Sequence, residues 1–312
     1  MNASDPLVVE VERSGRTESV HPVDVAVTDA DGNLLAWAGD PNSVAYLRSS
    51  AKPIQALACL ENGWEPPGTE QLAVACASHN GEPAHVAAVR GTLAAGGIGE
   101  DALRCPPALP FLPEHATQGA APILHNCSGK HAAMLATAKG NGWPLEDYRE
   151  PDHPIQRAVA TALERLAGRA AGHVGVDGCG VPTFALPLAG SATVFARLAT
   201  TGGLPLDAMA GHPFLVAGTG RLCTAVMTAL PDVAIKIGAE GIACGVLRDR
   251  RIGFALKSRD GTQRGRDAAT VFVLEHLLGS IPSGVAEKGT PDVTGGGRAV
   301  GSVRTRGTLR RA

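Results

Sequence analysis

The chain is short of lysine, of aromatic rings and of net charge. Its 312 residues carry 28 lysines and arginines against 30 aspartates and glutamates, a formal net charge of -2, and only six of the basic residues are lysine. A nucleic-acid surface needs a basic stripe and, for single strands, stacking platforms. Near-neutral charge and 4% aromatic content argue against that class. No apolar run approaches the ~20 residues of a membrane-spanning helix. The opening stretch MNASDPLVVEVERSG lacks the basic-then-apolar order of a secretory signal. Seven cysteines, odd in number and never spaced C-x-x-C, point to reduced thiols and a cytoplasmic setting. What is present is 44% apolar residues, enough for a buried core, and the expected partner is a small molecule, with no nucleic acid and no membrane.

Hydrophobic periodicity then sorts the chain into mixed α and β elements. LVVEVER (7–13) and DVAVTDADGNLLAWAGD (24–40) alternate as strands, with a hairpin turn at Asp31-Gly32. A helix is expected from about Ser50 to Asn62-Gly63, tolerating Pro53 in its first turn. Residues 71–78 read as a short strand or a short helix. Residues 83–97, 131–141, 154–172, 222–230 and 269–281 read as helices. Residues 174–188, 233–247 and 251–261 read as strands broken by Gly-rich turns. There is no internal repeat and no clean linker. The expected organisation is one catalytic region over residues 1–312, with room for two closely packed subdomains. Its Gly- and Arg-rich tail, from about 282 to 312, is expected to be partly mobile.

Ser49 and Lys52 form an S-x-x-K at the start of the first helix. Residues three apart share a helix face, so Lys52 can act on Ser49 but not on Ser50. A serine needs such a base to become a nucleophile, and only lysine, not arginine, can lose a proton for it. Thirteen serines and six lysines make this spacing common by chance. Ser78-His79-Asn80 and Lys257-Ser258 follow in the order of the penicillin-recognising serine hydrolases. Two features depart from that pattern. Ser78 follows Ser49 too closely for the usual helical insertion, and Arg259 stands where the third motif wants glycine.

Seven further stretches carry a fuller resemblance. RSSAKPIQ (48–55), CASHNGEP (76–83), NCSGKHAAML (126–135), VDGCGVP (176–182), HPFLVAGTGRLCT (212–224), KIGAEGIACGV (236–246) and ALKSRDG (255–261) occur in order over most of the chain. Together they resemble the L-asparaginase II family, the Rhizobium etli-type or class 3 asparaginases. The resemblance implies a serine-β-lactamase/glutaminase-like α/β fold, a β-sheet flanked by helices. It implies hydrolysis of L-asparagine to L-aspartate and ammonia, with two Ser–Lys pairs: Ser49 with Lys52, and Ser78 with Lys257. It further implies one zinc ion per chain on Cys127, Lys130 and Cys179, flanked by His131 and Asp177, and a homodimer.

Substrate contacts are expected from Arg48 to the α-carboxylate and from Glu82 or Asp177 to the α-ammonium, with His79 and Asn80 on the same turn. Each has a blander reading: a sheet-capping arginine, solvated turn carboxylates, a turn-shaping histidine. Cys59, Cys76, Cys105, Cys223 and Cys244 read as small core residues. Two other functions stay open: a broader serine amidase, glutaminase or β-lactam hydrolase, and a non-catalytic amino-acid or zinc sensor on the same scaffold.

Overall fold

The computed structural model describes residues 4–116, 119–200 and 203–312. In chain order its strands are β1 (Leu7–Arg13), β2 (Arg16–Thr28), β3 (Leu34–Ala38), β4 (Val44–Tyr46), β5 (His173–Val176), β6 (Pro182–Pro187), β7 (Val233–Ile237), β8 (Ile242–Leu247), β9 (Ile252–Ser258), β10 (Asp292–Gly295), β11 (Arg298–Arg306) and β12 (Arg310–Arg311). Its α-helices are α1 (Lys52–Glu61), α2 (Thr69–Ala75), α3 (Pro83–Ala95), α4 (Ser128–Gly140), α5 (Pro154–Ala167), α6 (Leu188–Leu198), α7 (Leu204–Gly211), α8 (Pro213–Val216), α9 (Leu222–Ala229), α10 (Gln263–Leu278) and α11 (Ser283–Gly289). The chain divides into two units. One holds Met1–Ser50, Leu186–Thr200 and Asp232–Ala312, the other Ala51–Ala185 and Thr201–Pro231.

The first unit is a sheet in the order β10-β11-β1-β2-β9-β8-β7, with β3 paired to β2 and β12 paired to β3. Leu7, Val9 and Val11 alternate inward from β1, as a half-buried strand requires. β2 and β3 form the expected hairpin, and Gly32 takes a φ of +93° at its turn. Strands β7 and β8, at one end of that order, are buried at every residue, because the sheet is covered on both faces. A Cβ on Gly253 of β9 would run into the Ala192 carbonyl of α6. On the other side, Gly265 of α10 lies against Ser258 of β9. Residues 253 and 258 have opposite parity along one strand, so α6 and α10 pack on opposite faces.

The second unit is mainly helical. α5 is the clearest amphipathic helix, and Gly168 closes it in the left-handed conformation. α4 crosses α2 so closely that a Cβ on Gly129 would overlap the Val74 carbonyl. That approach requires glycine. β5 and β6 form an antiparallel hairpin.

The chain thus adopts the expected class, mixed α/β with a β-sheet flanked by helices. Of the two readings of residues 71–78 the helix holds, as α2 reaches Ala75 before an extended turn. Three readings change. The helix expected over 154–172 ends at Ala167, where Gly168 caps it. The tail is not loose: α11 and β10–β12 fill it, and β11 pairs with β1 from Val8↔Arg306 to Val11↔Val303. Gly296 and Gly297 make the turn between β10 and β11, and β1, the other partner of β11, lies some three hundred residues earlier in the chain. Helix α10 starts six residues before the expected 269, where the Thr262 hydroxyl accepts from the Gly265 N–H. Among the described residues no helix is long and apolar enough to cross a membrane.

Candidate functional site

Lys52 opens α1 and is fully buried. A buried ammonium is costly unless each proton finds an acceptor. Here three acceptors meet it: the Ala77 carbonyl, the Asn126 carbonyl at 3.2 Å and Ser78 Oγ at 3.0 Å. Ser78 sits on the extended turn after α2, its N–H on the Val216 carbonyl at 2.9 Å. Two of the three acceptors are carbonyls, which only accept. Ser78 Oγ can also donate. A neutral Lys52 would therefore keep two N–H bonds and receive the third hydrogen bond from Ser78. The shell suits one proton moving between these two side chains.

Of the adjacent serines, Ser50 is fully buried and its Oγ donates to the Lys236 carbonyl at 2.7 Å. Ser49 is half-buried. Both lie on a 3-10 turn, Arg48–Ala51, that runs directly into α1. Arg48 has a φ of +48°. A non-glycine residue in the left-handed region stores strain, and such strain concentrates at functional sites.

Lys257 lies in β9, opposite Asp24 of β2 and Ile242 of β8. Its amine donates to the Ser258 carbonyl at 2.6 Å. Partial burial holds it below the usual lysine range, outweighing the carboxylates of Glu240, Asp260 and Asp24, which act the other way. Glu240 itself has a φ of +59°. Neither Glu240 nor the buried Lys236 was singled out by spacing. The available signals were a charged residue beside the glycine of a tight turn and a lysine inside an apolar strand.

The turn after Ser78 is held by a hydrogen-bond network of its own. Glu82 accepts from the Thr219 N–H and Thr219 Oγ1, both at 2.8 Å, and from Asn80 Nδ2 at 3.0 Å. Burial pushes its carboxyl up, but these hydrogen bonds outweigh burial and hold it below the ordinary value. Asn80 also donates to the Thr219 carbonyl and accepts from Arg221, whose guanidinium lies over Phe111. Gly218, at a φ of +113°, has no room for a Cβ beside Glu82 and Asn80. Glu82 and Asn80 therefore clamp the 217–221 loop. His79 is likewise occupied, accepting from the Gly81 N–H and bonded to Ser128 Oγ at 3.0 Å.

Cys127, at the head of α4, Lys130 on its first turn and Cys179, in the β5–β6 turn, converge and are all buried. Lys130 Nζ lies 3.0 Å from Cys179 Sγ. A hydrogen bond from Cys127 holds Cys179 well below the ordinary thiol range, against burial and with help from Lys130. That same bond, with burial, pushes Cys127 up. Burial would neutralise Lys130, but Cys179, Cys127 and Asp177 raise it above its usual range. His131 lies against Cys179, and burial depresses it to about 4, so it is neutral. Among the described residues no three His, Cys, Asp or Glu side chains form a metal site. This group offers two sulfurs and an amine, a soft donor set that suits zinc. The remaining five cysteines are buried and form no disulfide, as expected of core residues.

Comparison with solved structures finds distant likenesses. One is the crystal structure of Mglu in its native form, 14% identical with a TM-score of 0.48, covering 83% of this chain. This chain spans 65% of that protein's length. Another is a β-lactamase from Mycobacterium bovis, 15% identical with a TM-score of 0.45, covering 82% of this chain and 94% of the other. A search of curated protein sequences finds no match. The model of the L-asparaginase II family matches residues 9–305, taking in the Ser49, Ser78, Cys127, Cys179 and Lys257 stretches in one span, and the chain belongs to that family.

Proposed function

We propose that the chain is an L-asparaginase working through Ser–Lys acyl transfer. The observation that carries this reading is the buried Lys52, held by two carbonyls and one hydroxyl. A lysine so placed has no solvated role, and of these three partners Ser78 is the one able to exchange a proton with it. Family membership supports an amide hydrolase.

In this reading Ser49 Oγ attacks the side-chain amide carbon of asparagine. Its proton goes to a neutral Lys52, three residues on, where the 3-10 turn stacks side chains at that spacing. The tetrahedral intermediate collapses as the C–N bond breaks, and the leaving nitrogen takes a proton relayed through the Ser78 hydroxyl. Ammonia leaves and Ser49 carries an aspartyl ester. Water then attacks the ester with the same groups acting as base, releasing aspartate. Lys257, with its depressed proton affinity, is the second proton carrier. Arg48 is the candidate partner for the substrate α-carboxylate.

Cys127, Lys130 and Cys179 would hold one zinc ion. The ion would supply a fixed positive charge that orders the turn carrying Cys179 and the head of α4. The nucleophile is left to Ser49.

Ammonia release from asparagine, glutamine and a β-lactam, each run with wild type and Ser49→Ala, tests the reading. Release from asparagine that vanishes in the variant supports it. Preference for glutamine or the β-lactam makes the chain a broader amidase. Binding of asparagine without release makes it a sensor.

A further inference from the structure

Arg259 occupies the position where the third motif of the serine hydrolases carries glycine, and it has a defined partner. Its Nε lies 2.9 Å from Asp24 Oδ2 and its Nη2 2.7 Å from Asp24 Oδ1. This is the two-pronged geometry that a guanidinium makes and an ammonium cannot. The Asp24 side chain is 5% exposed while that of Arg259 is 48% exposed, so the pair shields a nearly buried carboxylate. That carboxylate belongs to the residue directly across from Lys257 in the β2–β9 register. Side chains opposite each other on antiparallel strands share a face, with Cβ atoms ~5 Å apart. Apart from Arg259, Asp24 accepts from the Asp40 N–H at 3.0 Å.

The other charges around Lys257 are few. Glu240 stands in the turn between β7 and β8, and Asp260 in the turn after β9. Asp260 is bound by His21 of β2 and by Ser258. β8 brings no charged residue to β9. On the helices packed against β9, Arg197 of α6 donates to the Ala30 carbonyl, and Arg266 of α10 to Asp267 and the Gly238 carbonyl. Asp24 is the nearly buried carboxylate of the set; with Arg259 in place it acts on Lys257 less than Glu240 and Asp260 do. An unpaired Asp24 would favour the ammonium form of Lys257 and leave less free amine to accept a proton.

We propose that Arg259 is a positioning residue that holds the Asp24 carboxylate to itself and so keeps Lys257 able to give up and take back its proton. Arginine suits this task because it stays charged at every working pH. The proposal rests on the reading of Lys257 as a proton carrier, but its test does not need that reading.

The test follows the rate at which an amine-reactive acylating reagent modifies Lys257 as pH is varied, read by peptide mass spectrometry on the full chain. Wild type is compared with Arg259→Gln, Asp24→Asn and the double variant. In Arg259→Gln the midpoint should move up by about one pH unit, and in the double variant it should return to the wild-type value or below. Should Arg259→Gln fail to fold with Asp24 left unpaired, Asp24→Asn carries the test: its midpoint must fall below that of wild type. Midpoints that stay together across the variants, or an upward shift that persists in the double variant, overturn the proposal. The pH dependence of ammonia release is measured on the same proteins. A labelling midpoint that moves while the rate profile does not would uphold the Arg259 proposal and remove Lys257 from the reaction.

Discussion

Lys52 Nζ and Ser78 Oγ lie 3.0 Å apart, although 26 positions separate them in the chain. The motif pattern puts Lys52 with Ser49; the fold seats its amine on the serine assigned to the other pair. In the proposed reaction Lys52 takes the proton of Ser49 and passes it on through Ser78, the relay that attack and departure require.

Replacing Lys52 by methionine should abolish turnover. It should also cost stability, because the Ala77 and Asn126 carbonyls lose a buried donor, at ~1–3 kcal/mol for each group left unsatisfied. Urea denaturation and an ammonia assay read the two effects separately. Wild-type turnover in Lys52→Met would remove the base from the mechanism.

Ser49 and Ser50 should separate cleanly. Ser50→Ala loses one buried hydrogen bond to the Lys236 carbonyl, worth ~1 kcal/mol, and should keep its activity. Ser49→Ala should lose ~10³-fold or more in turnover with an unchanged unfolding midpoint. An inactive Ser50→Ala beside an active Ser49→Ala would reverse the assignment.

Glu82 should contribute an acid-sensitive part of the stability. Hydrogen bonds from Thr219 and Asn80 hold its folded-state pKa below the ordinary 4.5. A depressed carboxylate stabilises the fold above its unfolded pKa and loses that contribution as pH falls through the folded value. From pH 7 to pH 3 wild type should therefore lose more stability than Glu82→Gln. Urea midpoints across that range check it, and parallel curves for the two proteins would contradict it.

Protein prepared without chelator should hold about one zinc per chain, and Cys179→Ser should hold far less. Zinc binding should strengthen as pH rises, since sulfur and amine ligands must be deprotonated to coordinate. Elemental analysis and chelator competition at two pH values measure this. Zinc-free wild type that shows no shift in melting temperature on addition of the metal would refute the site.

The local grammar of the fold was legible from the residues. Alternation marked β1, Asp31-Gly32 marked the β2–β3 hairpin, and an amphipathic stripe marked α5, though the reading extends to 172 and the helix stops at Ala167. Helix α6 left no such mark. Nearly all its residues are buried, and a helix without a polar face has no stripe to find. The tail misled for the converse reason. β11 is mostly exposed or half-buried, so its pattern is weak, and it becomes a strand because β1 offers it an edge.

For the site, the sequence determined the ingredients: an S-x-x-K at a helix start, a second serine after an apolar run and a lysine near the end of a strand. These are properties of residues a few positions apart, set by chain geometry alone. Cys127, Lys130 and Cys179 are joined in the sequence only through the family resemblance, because their spacing marks no site. Tertiary structure decided what each one touches. Ser78 reaches Lys52, Glu82 and Asn80 close on the 217–221 loop, and Arg259 finds Asp24 235 positions away. Hydrogen bonds and ion pairs act over about 3 Å in space, and no local pattern reports which distant segment will fill that distance.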